Sequence, residues 1–146
     1  MLAILPIDSG RYGTKEMIEI FSEQKKINYQ LEIEGAAAVS QSEIGIIPKT
    51  VGKKILKAAT SGKITAKRIK QLEAKSDHDT TALVESLSEK CTKDERPWIH
   101  YGFTSNDLVD TSSSMQMRDS LQIIEPKVAK MESILAKNAV KQVKIQ

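Results

Sequence analysis

The stretch after residue 104 constrains this chain more than any other. Apolar residues recur there at helical spacing, at Leu108, Met115 and Leu121, then at Val128, Met131, Leu135 and Ala139. Pro126 falls between the two groups and is expected to interrupt or kink the helix, because it lacks an N–H and its ring clashes with the preceding turn. The pattern runs to Gln146 without a cap, a glycine or a terminal proline. It therefore reads as a long amphipathic helix whose chain has been cut short. The composition agrees with helices. Aromatic residues make up only 4% of the 146 residues while hydrophobic residues make up 40%. A core of Ile, Leu, Val, Ala and Met suits helices better than a sandwich or barrel. The expected fold class is all-α.

The rest of the chain divides at recognisable stop and start signals. Residues 1–13 read as an irregular arm ending in SGRYG. Thr14 is placed to cap a helix with Glu16 in its first turn. Met17, Ile20, Phe21, Ile27, Leu31 and Ala38 then follow at helical spacing, with Gly35 as a mild weak point. EIGIIPKT breaks the pattern, and Pro48 fits the first turn of a second helix marked by Val51, Ile55 and Ala59. SGK at 61–63 is a turn, and Thr65 caps a short helix carrying Ile69 and Leu72. Ser76 and Asp79 have the spacing of a capping box ahead of Leu83, Val84 and Leu87. CTKDERP ends that helix, with Pro97 as the stop. Thr104 and Asp107 repeat the box spacing ahead of the long helix.

Charge and cysteine content exclude several classes. The net charge of +3 is mild and the lysines are scattered, so a nucleic-acid surface is not expected. The start, MLAILPID, lacks a basic leader and is interrupted by Pro6 and Asp8, so neither a signal peptide nor a membrane span is expected. One cysteine, Cys91, allows no internal disulfide, and with two histidines there is no metal-ligand cluster. A reducing, cytoplasmic setting is the default. Cys91 reads as structural, Trp98 as a packing anchor and His100 as a residue that positions its loop.

Three polar sites remain. Arg11 and Tyr12 lie between glycines, where a guanidinium fork could meet phosphate or carboxylate. The alternative is a turn with an exposed Arg. His78 and Asp79 lie at a helix start, where free N–H groups and the helix dipole favour an anion and a histidine could donate to it. Thr104 and Ser105 bring two hydroxyls to another helix start, a reasonable carboxylate or phosphate cradle. At both helix starts a plain cap explains the residues equally well. Together the three would suit a ligand carrying several negative groups.

RYGTKEM, then HDTTALVESL, then HYGFTSNDLVDT occur in one order between Arg11 and Arg118. This combination resembles the N-terminal part of the adenylosuccinate lyase family, within the fumarase/aspartase superfamily. The resemblance implies a small helical N-terminal domain, residues 1–103, leading into the first long helix of a central helical bundle, residues 104–146. It implies a homotetramer when full length, with three subunits completing each site, and a β-elimination that uses no metal or organic cofactor. The substrates implied are adenylosuccinate and the succinyl-carboxamide intermediate of purine synthesis, each releasing fumarate. By the same resemblance, Arg11 and Tyr12 bind near the phosphate. His78 and Asp79 lie at the active site, His78 supporting the proton-donating side, and Thr104 and Ser105 bind the succinyl portion. The residue before the His-Asp pair is Asp77 here, an anion where such enzymes often carry Arg or Asn. That puts its substrate contact in doubt and allows a capping role instead. The family's general-acid histidine and Ser-rich mobile loop have no counterpart in the 146 residues, so the chain by itself is expected to be inactive. Two other classes fit the same residues: another superfamily chemistry, of the argininosuccinate lyase or carboxymuconate cycloisomerase type, and a non-catalytic helical interaction module.

Overall fold

A computed structural model of the chain describes residues 12–143. These form six α-helices and one 3-10 turn, and no strand occurs among them. The helices are α1 (Lys15–Ile20), α2 (Glu23–Glu43), α3 (Val51–Ala59), α4 (Ala66–Ser76), α5 (Asp79–Ser88) and α6 (Ser105–Gln142), with the 3-10 turn at Arg96–Trp98. The fold is all-α, as the aliphatic composition and helical spacing imply. By their contacts the residues fall into two units, one of 1–20 with 116–146 and one of 21–115.

The caps explain most of the boundaries. Thr14 starts α1, its carbonyl accepting from the Ile18 N–H at 3.0 Å. Thr65 starts α4, its Oγ1 accepting from the Arg68 N–H at 3.2 Å. The run expected as one helix from Thr14 through Ala38 is two. Ser22 is extended and its hydroxyl accepts from the Lys25 N–H at 3.2 Å, so α2 restarts there and Phe21 is left exposed. The side-chain cap outcompetes continuation of the apolar spacing. Pro48 lies outside α3 rather than in its first turn, and its carbonyl accepts from the Val51 N–H at 3.0 Å. α5 ends at Ser88, well before Pro97, which sits inside the 3-10 turn. Pro126 does not interrupt α6, which is helical on both sides of it.

The core of the 21–115 unit joins Ile27, Leu31, Ile55, Leu72, Leu83, Leu87 and Leu108, each buried, with Trp98 and Phe103 packed against them. Leu108 anchors the head of α6 at zero exposure. α2 and α3 approach closely at two glycines. A Cβ on Gly35 would lie 2.6 Å from Leu56 Cδ1, and one on Gly52 would press on the Ala38 carbonyl and, at 2.5 Å, on Ser42 Oγ. Cys91 is buried, and burial with the Glu95 charge pushes its thiol up to about 11. It is a packing residue, as its sequence context implies.

In the other unit, Gln116 Nε2 donates to the Ile20 carbonyl at 2.9 Å. Past Ser120, every described residue of α6 except Ile123 is exposed. Leu121, Ile124, Val128, Met131 and Leu135 are among them, and with the exposed Met117 before them they stand alternately four and three residues apart. No described helix is long and apolar enough to cross a membrane.

Candidate functional site

The corner between α4 and α5 is built from Ser76 to Asp79. α4 stops because Asp77 takes the left-handed conformation, φ 50° and ψ 27°, while its N–H still donates to the Glu73 carbonyl at 2.8 Å. Asp is one of the few residues that tolerate this region. Asp77 is thus the C-cap of α4, the capping role its anionic side chain left open. His78 is then extended and caps α5. This corrects the expected box: Ser76 belongs to the last turn of α4, and its hydroxyl bonds the His78 carbonyl at 3.2 Å. The left-handed turn at Asp77 carries the imidazole, not the serine, over the free N–H groups of α5.

That placement fixes the ring chemistry. The Thr81 N–H donates to His78 Nδ1 at 3.3 Å. A neutral imidazole that accepts at Nδ1 carries its proton on Nε2. His78 therefore presents a donor, and its side chain is 54% exposed. Asp79, in the first turn, accepts from the Thr80 N–H at 2.6 Å and stands 3.7 Å from His78 Nδ1. The carboxylate and the cap lie on one side of the ring, which leaves Nε2–H for a ligand.

The head of α6 is the second place. Thr104 directly precedes the helix and its N–H donates to Asp107 Oδ2 at 2.8 Å, one arm of the expected box. Thr104 is exposed and Ser105 half-buried, while Leu108 turns into the core. The burial of Leu108 thus fixes the helix start with Thr104 at the surface. Free N–H groups of a first helical turn suit an anion. His78, Asp79, Thr104 and Ser105 all belong to the 21–115 unit. Tyr12 is exposed in a bend before α1, in the other unit, and Arg11 lies outside the described residues. Among the described residues no group of three or more His, Cys, Asp and Glu side chains gathers to hold a metal.

A feature that the helical spacing concealed supports the head of α6. Glu34 on α2 is buried at 1% exposure, and both its carboxylate oxygens face His100. Oε2 accepts from the His100 N–H at 3.0 Å and Oε1 lies 2.6 Å from the ring Nδ1. His100 has φ 57°, left-handed for a residue with a side chain, at a cost of about 1–2 kcal/mol. The two contacts with Glu34 tie that turn to α2. Burial pushes the Glu34 carboxyl above its ordinary value, opposed by its bonds to His100. Gln41, also on α2, donates to the Tyr101 carbonyl at 2.6 Å. The His100 ring packs on Phe103, 4.4 Å between centroids, and Trp98 meets Tyr101 edge-on at 5.2 Å. One signal for Glu34 was present in the sequence: it lies three residues after Leu31 and four before Ala38, on the buried stripe of α2, where a lone carboxylate needs a partner.

Residues 10–146 match the family described as lyase. The chain belongs to the lyase family. It is 38% identical over 138 residues to the adenylosuccinate lyase of Methanocaldococcus jannaschii, covering 94% of this chain and 30% of that protein. It is 36% identical over 142 residues to the adenylosuccinate lyase of Pyrococcus horikoshii, covering 97% of this chain and 31% of that one. Solved structures share the fold. The fumarate lyase from Mesorhizobium sp. BNC1 superposes with a TM-score of 0.79 at 30% identity, over 89% of this chain and 31% of that one. The 3-carboxy-cis,cis-muconate lactonizing enzyme from Pseudomonas putida gives 0.81 at 26% identity, over 89% of this chain and 30% of that one. The chain thus spans about 30% of the length of these lyase relatives.

Proposed function

We propose that the chain is the N-terminal part of an adenylosuccinate lyase. The intact enzyme would cleave adenylosuccinate to AMP and fumarate, and the succinyl-carboxamide intermediate of purine synthesis likewise, by β-elimination. The observation that carries this reading is the coincidence of HDT and TSND with two helix starts in a chain 34–38% identical to several adenylosuccinate lyases. Such a substrate carries a phosphate and two carboxylates, and free helix N–H groups, hydroxyls and an Nε2–H are suited to hold them.

In this reading Thr104 and Ser105 bind the succinyl carboxylates, and His78 donates from Nε2 to substrate. Asp79 holds the His78 side of the site, while Arg11 and Tyr12 bind near the phosphate. Asp77 serves by setting the turn that aims His78. The enzyme works without metal or organic cofactor, in the cytoplasm and as a homotetramer. Residues 1–103 form its N-terminal helical domain and 104–146 the start of a central bundle, whose partner helices would cover the exposed stripe of α6.

The test is kinetic, on the intact enzyme. His78→Ala, and Thr104→Ala with Ser105→Ala together, are expected to lower kcat/KM by about 100-fold or more while leaving the circular-dichroism melt unchanged. Wild-type turnover in either variant would remove that site from the proposal. The likeness to the muconate lactonizing enzyme supports a second reading, a cycloisomerase chemistry on the same scaffold. Assay of the intact protein with both substrate types separates the two.

A further inference from the structure

We propose that Glu34 is a positioning residue for the binding segment at the head of α6, acting through His100. Its two carboxylate oxygens engage both the backbone N–H and the ring of His100. An imidazole that donates from Nδ1 to a carboxylate keeps Nε2 as its one remaining polar atom. His100 is thereby set in the tautomer opposite to His78, whose Nδ1 accepts from Thr81. The two neutral rings then offer different atoms to a ligand: His78 an Nε2–H, His100 an Nε2 lone pair. The His100 side chain keeps 21% of its surface open.

The same carboxylate also sets the backbone. His100 is left-handed, and Gly102, two residues on, is left-handed as well with φ 79°. The two left-handed residues lie in the turn between the buried Ile99 and the first turn of α6. Glu34 grips the first of them, and Gln41, two helical turns along α2, grips the Tyr101 carbonyl. Thr104 and Ser105 follow after Gly102 and Phe103. Their hydroxyls are thus referred to the rigid helix α2 rather than to a free loop.

The experiment has two arms. The first uses this 146-residue chain with 15N-labelled histidine. Nuclear magnetic resonance at a pH where both rings are neutral is expected to show the Nδ1–H tautomer for His100 and the Nε2–H tautomer for His78. Glu34→Gln is expected to abolish the Nδ1–H preference of His100 and to shift the amides of Tyr101 to Ser105, leaving His78 as it was. Gln41→Ala, which disturbs no buried charge, is expected to shift the same amides less and to keep both tautomers. The second arm rests on the lyase reading and uses the intact enzyme. There Glu34→Gln is expected to lower kcat/KM by about 10- to 100-fold, with Glu34→Asp retaining more activity than Glu34→Gln. Unchanged tautomer and amides in Glu34→Gln overturn the proposal. So does wild-type kcat/KM in that variant when the Thr104 and Ser105 double variant is impaired. If the double variant is also unimpaired, the lyase site is what fails, and the tautomer arm alone decides for or against Glu34.

Discussion

At the scale of single residues, two side chains carry measurable consequences. Ser86 is fully buried in α5 and its hydroxyl has no hydrogen-bond partner among the described residues. A buried unpaired polar group costs about 1–3 kcal/mol, and serine and alanine differ by little else. Ser86→Ala is therefore expected to raise the midpoint of thermal unfolding by several degrees, read by circular dichroism; a lowered midpoint would show that the hydroxyl has a partner. Glu95 is the opposite case. Burial acts to raise its pKa, but the Thr92 N–H at 2.7 Å and Lys54 at 3.6 Å prevail and hold it below 4.5. A carboxyl lowered on folding contributes stability that is present above its unfolded pKa and lost as pH falls through the folded one. Glu95→Gln should be less stable than wild type at neutral pH, and urea titrations should show the gap closing as pH drops below about 4.5. A gap that stays constant with pH would mean that the charge contributes nothing. Residue identity was legible at Thr65 and Cys91, whose roles depend on neighbours in sequence. It was not legible at His78 as a cap, because the left-handed turn at Asp77 has no pattern of its own.

At the scale of elements, spacing located the helices and side-chain caps moved their ends. Ile20 and Phe21 continue the apolar rhythm of α1 into α2, so only the extended conformation at Ser22 reveals the break. Glu34 was hidden for a related reason: its partner His100 is 66 residues away, and spacing carries no information about such a pair. α6 was the most legible element, yet its burial was not. The alternating four and three spacing from Met117 to Leu135 is a coiled-coil seam, and its residues are exposed, Leu121 at 62%. The isolated chain is expected to self-associate through it, with sedimentation equilibrium giving a mass that rises with concentration. Leu121→Glu with Val128→Glu should restore the monomer. A wild-type chain that stays monomeric throughout the range would show that the stripe needs a different partner.

At the scale of the whole molecule, the all-α class and family were readable, since aliphatic composition decides the class and three ordered motifs decide the family. For the candidate site, only its local features could be read from the sequence. Helix starts and hydroxyls are local features, whereas a pairing such as Glu34 with His100, 66 residues apart, is not. The chain spans about 30% of its relatives' length and has candidate anion-binding groups at two helix starts, but no segment like the Ser-rich loop expected to supply a base. The purified 146-residue chain is expected to release no fumarate from adenylosuccinate above a blank, followed by absorbance. Release above the blank would require an acid and a base among residues not assigned such roles here.

The seam of α6 also bears on how such a protein is made. Once α6 has emerged from the ribosome, its apolar line from Met117 to Leu135 extends about 27 Å, at 1.5 Å per residue, and stays open until a partner covers it. Synthesis runs at about 5–20 residues per second, so each further hundred residues leaves the line open for seconds. Neighbouring nascent chains on one message are within reach during that interval. The same stripe that would seat a bundle is therefore where premature pairing or chaperone capture would begin.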